Sequence, residues 1–223
     1  MPDGQYSFYL HSDDRTDIAA MATISTISQP LRGEFIRTAA TAGAVVYQVD
    51  ARLPALIPVF FAGQLSAVRL CAVMALVSGT WSSLTGLPDE PENGEAALPV
   101  SPETEYQRRR YTLAVQNCLS GERVESVLTE ASSRLRGDLL RNLIITGLAL
   151  HTTAPELPRL LASMPVPPTS VSELQALVQQ MAGTADVNRA AAAVPDTPTA
   201  SAAPVSGSDT REIKKNMRRA FGD

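Results

Sequence analysis

Apolar and polar residues alternate over Tyr6-Ser7-Phe8-Tyr9-Leu10, the period-two pattern of a short strand with one buried face. A polar turn follows. Apolar residues then recur at Ile18, Met21, Ile24 and Ile27, the spacing of a helix, with Asp13 or Asp14 placed to cap it. The same succession returns at Tyr111-Thr112-Leu113-Ala114-Val115, with Ser120 as the candidate cap and Val124, Val127, Leu128 and Ala131 behind it. A second helix is predicted from Gly33 to Tyr47 and from Gly137 to His151. Pro54 and Pro158 then sit near the start of a third helix, where proline is tolerated. A last amphipathic helix is predicted over roughly 65–78 and 169–182, closing at Gly79 and Gly183.

The two halves are a repeat. Leu31-Arg32-Gly33 returns as Leu135-Arg136-Gly137, and one offset then holds without a gap through Gly79 and Gly183. It places Arg37 on Arg141, Gly43 on Gly147, Leu53-Pro54 on Leu157-Pro158 and Ala72 on Ala176. Coinciding glycines and prolines mark shared backbone geometry, not just shared polarity. Upstream of Leu31 the match needs a small shift.

This divides the chain into a first strand-helix-helix repeat (1–81), a linker (82–105), a second repeat (106–183), a tail (184–208) and a terminal helix (209–223). The linker is rich in Pro, Gly and Glu and reads as solvated. The Ala, Pro, Ser, Thr and Val of 184–208 cannot bury enough apolar surface to offset ordering, so disorder is expected there. A lone short strand is unstable, but two copies can each supply the other's partner. The fold class expected is mainly α with a short β-ribbon: tandem ribbon-helix-helix-like repeats, each with additional C-terminal helices, then the disordered tail.

Charge is unevenly spread. The net charge is −4, and residues 82–105 hold six acids and no base; removing those six leaves +2. Residues 106–183 hold eight Arg against six acids. Local charge decides what a surface attracts, so the total is no veto on nucleic acid. Cys71 and Cys118 match no metal or redox spacing and are expected to be free core thiols in a reducing cytoplasm. Met1 leads into polar residues without a basic stretch, so no secretory signal is expected. The uncharged run from Leu53 to Val68 holds two prolines and is too short to span a bilayer. It reads as buried core helices.

A two-stranded ribbon fits the DNA major groove. Alternation turns Tyr6, Phe8 and Leu10 inward, with Tyr111, Leu113 and Val115. It turns Gln5, Ser7 and Tyr9 outward, with Arg110, Thr112, Ala114 and Gln116. Arg108, Arg109 and Arg110 precede or begin the second strand and are expected near phosphates. The starts of the second helices, at Arg32-Gly33 and Arg136-Gly137, offer free amides to phosphates as well. Arg37 and Arg141 read equally well as salt-bridged helix residues.

The terminus is different. Asp209 and Glu212 have capping-box spacing. Ile213, Met217 and Phe221 form a narrow apolar stripe flanked by Lys214, Lys215, Arg218 and Arg219. So short a helix is marginal alone, and the stripe suggests folding into a partner's groove. A basic tail with general nucleic-acid or membrane affinity is the plainer reading.

The Arg37…Ala39-Ala40-Thr41-Ala42-Gly43…Tyr47…Asp50…Arg52…Pro54 stretch, Arg141…Thr146-Gly147…Pro158 and the Glu212-Ile213-Lys214-Lys215-Asn216 helix resemble ParR-type plasmid segregation adaptors. The resemblance implies ribbon-mediated binding to tandem centromere repeats in double-stranded DNA, arraying along them, and repression of the adaptor's own operon. It also implies that the terminal helix contacts an actin-like, ParM-type ATPase filament, with Ile213, Met217 and Phe221 as anchors. Family members are usually single units that dimerise, whereas this chain holds two, and its first strand has no Lys or Arg. The first copy is therefore expected to be structural or to pack against neighbours along DNA, with the second carrying most phosphate contacts.

Other readings stay open: a ribbon-helix-helix repressor, a relaxosome accessory protein, or a helical scaffold that binds no DNA. An enzyme is not expected. His11 and His151 are the chain's two histidines, neither is paired with a plausible nucleophile, and no phosphate loop or metal spacing occurs. No cofactor is expected, and no membrane partner.

Overall fold

The first alternating segment forms strand β1 (Gln5–His11) and the second forms β2 (Arg108–Ala114). The structure is a computed structural model that describes residues 4–80, 108–116 and 118–192. The two strands pair with each other, antiparallel, as one ribbon within the chain. Ser7 lies opposite Thr112, its own counterpart in the repeat. Tyr6 and Phe8 lie opposite Leu113 and Tyr111, each facing the counterpart of the other. A local two-fold axis therefore passes through the Ser7–Thr112 pair. Alternation sets the faces as the sequence predicts: Phe8, Leu10, Leu113 and Val115 are buried. Phe8 and Tyr111 stack with ring centroids 5.2 Å apart.

Helix α1 (Arg15–Ser25) starts at Asp14, whose carboxylate accepts the Asp17 amide at 2.9 Å. A 3-10 turn (Gln29–Leu31) leads into α2 (Arg32–Val49), followed by α3 (Leu53–Phe60) and α4 (Ala67–Ser78). The second copy repeats the order as α5 (Leu119–Glu130), α6 (Arg136–Thr153), α7 (Leu157–Ser163) and α8 (Val171–Ala192).

Helices α2 and α6 make the most extensive contact. They cross where a Cβ on Gly43 would collide with the Leu143 carbonyl, and one on Gly147 with the Ala39 carbonyl. These two contacts are exchanged by the repeat, so the same two-fold axis runs through the crossing. Close backbone approach of this kind tolerates only glycine. The third helices swap sides: α3 packs on α6, and α7 on α2. Neither copy has a core of its own, and both belong to one folding unit that ends at Asn188. Farther along, Leu70 and Met74 of α4 and their counterparts Leu174 and Val178 of α8 are fully buried.

Several expectations are corrected. Helix α5 is capped by Cys118, not Ser120, and without a side-chain hydrogen bond. Cys118 is therefore exposed at a helix start and not a core thiol, whereas Cys71 is buried. Burial pushes the Cys71 thiol up, and a hydrogen bond from the Ser120 hydroxyl holds the Cys118 thiol below its ordinary value. Gly79 ends α4 in the left-handed region, with φ 71, as the sequence predicts. Gly183 does not end α8, which runs on to Ala192. Residues 184–192 are therefore helical backbone, not the start of a disordered tail. They hold four alanines and no glycine or proline, so helix propensity carries the last turns past Gly183. Within Leu53–Val68, Leu53 and Ile57 are buried, but Val59, Phe60 and Val68 face solvent. The stretch is an amphipathic surface element and not core throughout. The 82–105 linker, residues 193–208 and the 209–223 helix lie outside the described residues. Among the described residues no helix is long and apolar enough to cross a membrane.

Candidate nucleic-acid interface

The ribbon carries three arginines and no acid, and its outer face turns away from the helices. Gln5, Arg108, Arg110, Thr112 and Ala114 are exposed there, and Ser7 and Tyr9 are partly so. The Arg110 guanidinium donates to Ser7 Oγ from Nη2 at 2.9 Å and from Nε at 3.2 Å. The Arg108 guanidinium lies over the Tyr9 ring at 3.5 Å. Such a cation–π contact is worth about 0.5–1 kcal/mol at an exposed site. It holds the charge in place without neutralising it. The first strand has no Lys or Arg of its own, yet its Ser7 and Tyr9 are the groups that position the arginines of the second.

Arg109 departs from its neighbours. Alternation sends it to the opposite face, with its guanidinium 5.3 Å from the Tyr111 ring centroid. Burial pushes the Tyr111 hydroxyl up, against the pull of the nearby Arg109 and Arg32 charges. Arg108 and Arg110 thus share the outer face, and Arg109 lies on the other side of the strand beside Tyr111.

The side chains of Arg32 and Arg136 turn back on their own chain. Arg32 donates to the Ile27 carbonyl at 2.8 Å and to the Ser25 carbonyl at 3.3 Å. Arg136 donates to the Ala131 carbonyl at 3.2 Å. Both side chains tie off the turn before the second helix, satisfying carbonyls that the preceding helix leaves open. The amides behind them are another matter. Helices α2 and α6 start at Leu31 and Leu135 without side-chain caps, and Gly137 lies close to the Ser7 carbonyl of the ribbon. Gly33 and Gly137 therefore open two uncapped helix starts, although Glu34 and Asp138 in the first turns oppose an anion there.

The residues proposed for partner contact, Ile213, Lys214, Lys215, Met217, Arg218 and Phe221, lie outside the described residues. Both histidines have local structural contacts. The His11 amide donates to Asp17 Oδ2 at 2.9 Å, and the His151 ring meets Phe35 edge-on at 5.0 Å. Among the described residues no cluster of His, Cys, Asp or Glu is placed to hold a metal.

Arg37 and Arg141 are both salt-bridged helix residues, one of the two readings the sequence left open, but the partner and burial of the Arg141 pair were not legible. Arg141 on α6 reaches the start of α1, with Nε 2.6 Å from Asp17 Oδ1 and Nη2 3.2 Å from Asp14 Oδ1. Asp17 is fully buried. Among the described residues Arg37, the counterpart of Arg141, pairs with the exposed Glu34 of its own helix, at 2.6 Å. The signal available beforehand was the shift in the repeat offset. The turn from Gln116 to the Cys118 cap is one residue shorter than that from His11 to Asp14. This presses the Gln116 carbonyl onto α5, where a Cβ at Gly121 would collide with it. Glycine thus stands where the first copy has Asp17.

An antiparallel ribbon on interlocked helices, with a basic outer face and a two-fold axis through it, defines a ribbon-helix-helix-like protein built from one chain. Residues 4–74 and, separately, residues 109–178 match the model of a family described as plasmid stability protein. The matches cover more than half of the chain, so this chain belongs to that family, twice over, and its role is in plasmid maintenance. The two matched segments begin and end at counterpart residues on either side of the one-residue shift. No curated protein and no solved structure matches the chain.

Proposed function

We propose that the chain is a plasmid partition adaptor that binds centromere-like DNA repeats through the outer face of its ribbon. It links them to an actin-like filament through residues 209–223 and represses its own operon. The observation that carries the DNA part is the pairing of Arg108 and Arg110 on one acid-free outer face. A ribbon of this kind enters the major groove, where arginine reads guanine edges or binds phosphates. Membership of the plasmid stability family supports the same reading.

Arraying along repeats is supported by a difference between the copies. The first exposes Val59, Phe60, Val68 and Leu76, where the second has Ser163, Met164, Ser172 and Gln180. Packing of this apolar face on a second copy bound to the neighbouring repeat would remove it from water.

The test is fluorescence anisotropy of the full chain on duplex DNA from upstream of its own operon, against a scrambled duplex, at two salt concentrations. The expected result is tight, repeat-dependent binding. In an R108A/R110A variant the dependence of log affinity on log salt should flatten by about 0.9 for each phosphate that is no longer neutralised. Equal, weak binding to both duplexes would overturn the DNA reading. Removing residues 209–223 is expected to abolish filament binding and leave DNA binding intact.

A further inference from the structure

The two-fold axis makes each half a control for the other, and at one place the halves have opposite chemistry. In the first half, the space between the end of β1, α1, α3 and α6 is filled. The Asp17 carboxylate sits in it, accepting from Arg141 and from the His11 amide, and Asp14 adds a second carboxylate to the same guanidinium. In the second half, the counterpart space is an open cleft of about 240 Å³ between the end of β2, α2, α5 and α7. Both carboxylates are gone: Cys118 stands for Asp14 and Gly121 for Asp17. Arg37 remains at the cleft, and Arg159 joins it where the first half has Ala55. One guanidinium with two acids has become two guanidiniums with one lining acid, Glu34, which accepts from Arg37 Nε and Nη2 at the rim of the cleft.

We propose that this cleft binds a small free carboxylate, which displaces the exposed Glu34 from Arg37 and lies against that guanidinium as Asp17 lies against Arg141. Guanidinium and carboxylate match as a fork, which favours this anion over a spherical one. The cleft is several times the roughly 30 Å³ share of one water. Leu113, Val115, Val124 and Ala162 form its apolar wall, so the acid carries a compact aliphatic body. Arg159 supplies the second cation. The ligand would bridge the end of the ribbon to α2, α5 and α7, restoring the tie that the first half makes with its own chain. This inference does not rest on the DNA reading and is tested without DNA.

The probe is isobutyrate, titrated into the full-length protein at constant ionic strength and followed by amide chemical shifts. Isobutyramide, of the same shape without charge, and inorganic phosphate are the comparison arms. Saturable binding of isobutyrate in the millimolar range is expected, with none for the amide. R37Q should raise Kd about tenfold or more, and A162F, which fills the cleft and leaves Arg37 in place, should abolish binding. R69Q, on the remote surface of α4, should bind as the parent does. Arg37 is surface-paired, so R37Q reports on binding even if A162F fails to fold. Unsaturable shifts, equal binding of the amide, tighter binding of phosphate, or an unchanged Kd in R37Q would each overturn the proposal.

Discussion

The two copies share a fold and a two-fold axis, yet they divide the work unequally. The first is sealed by a buried Asp17–Arg141 pair, has no Lys or Arg in its strand, and presents an apolar outer face on α3 and α4. The second carries every arginine of the ribbon, replaces the sealing carboxylate with Gly121, and opens a cleft. A homodimer must place the same side chain at both symmetry-related positions. Fusing two units in one chain removes that constraint. One half can keep the structural ion pair while the other changes, because the interlocked core is shared and its stability does not depend on where each contribution arises.

Predictions follow that difference. The largest effect belongs to what the halves have in common. Gly43→Val and Gly147→Val each drive a side chain into the opposite helix's backbone, and each should cost roughly 4 kcal/mol or more. The two should be about equally damaging in urea denaturation followed by circular dichroism. A large inequality would break the symmetry argument at the crossing.

Next comes the feature the halves do not share. Asp17→Ala leaves Arg141 without its buried partner and should cost about 3 kcal/mol. Arg37→Gln removes only a surface pair and should cost less than about 0.5 kcal/mol. Equal costs for the two would mean that the buried and the exposed arginine are held alike.

The ribbon supplies a third contrast. R108A/R110A should weaken DNA binding by about tenfold or more, as for the removal of one good base interaction of about 1–3 kcal/mol. Gln5→Ala, on the uncharged strand, should leave the salt dependence unchanged. If Gln5→Ala flattened it as much, the two strands would be equivalent on DNA.

A smaller effect is expected at Thr146, whose counterpart is Ala42. Its hydroxyl is buried without a hydrogen-bond partner among the described residues. Thr146→Val should therefore stabilise the fold by about 1 kcal/mol, by relieving an unpaired polar group. A destabilised variant in the same urea assay would mean that the hydroxyl is satisfied in solution.

Much of the architecture was legible beforehand because it is periodic. Strand alternation needs only local sequence, and it correctly placed Phe8, Leu10, Leu113 and Val115 inside. The repeat located the second helices to within two residues, through glycines and prolines whose geometry admits few substitutes. The site was less legible. Periodicity shows which face of a strand looks outward, but not that Arg108 rests on Tyr9 or that Arg110 leans on Ser7, since both contacts cross between the copies. That the side chains of Arg32 and Arg136 reach back to the preceding helix was not legible either, because an arginine at a helix start looks the same whether it faces solvent or its own chain. The extension of α8 was missed because Gly183 matched Gly79, although the residues after it favour helix and Thr80 is followed by no such run.

The sequence by itself determined the elements, their duplication and the inward faces of the ribbon, because these follow from the order of apolar and polar residues and from glycine and proline. It also held, in the one-residue shift between copies, the mark of their divergence. Only the tertiary structure decided what the shift meant. It brought Arg141 to Asp17 and left Arg37 beside an empty counterpart, since a buried ion pair depends on two side chains 124 positions apart meeting across the two-fold axis. Local pattern carries no information about such a meeting; packing does.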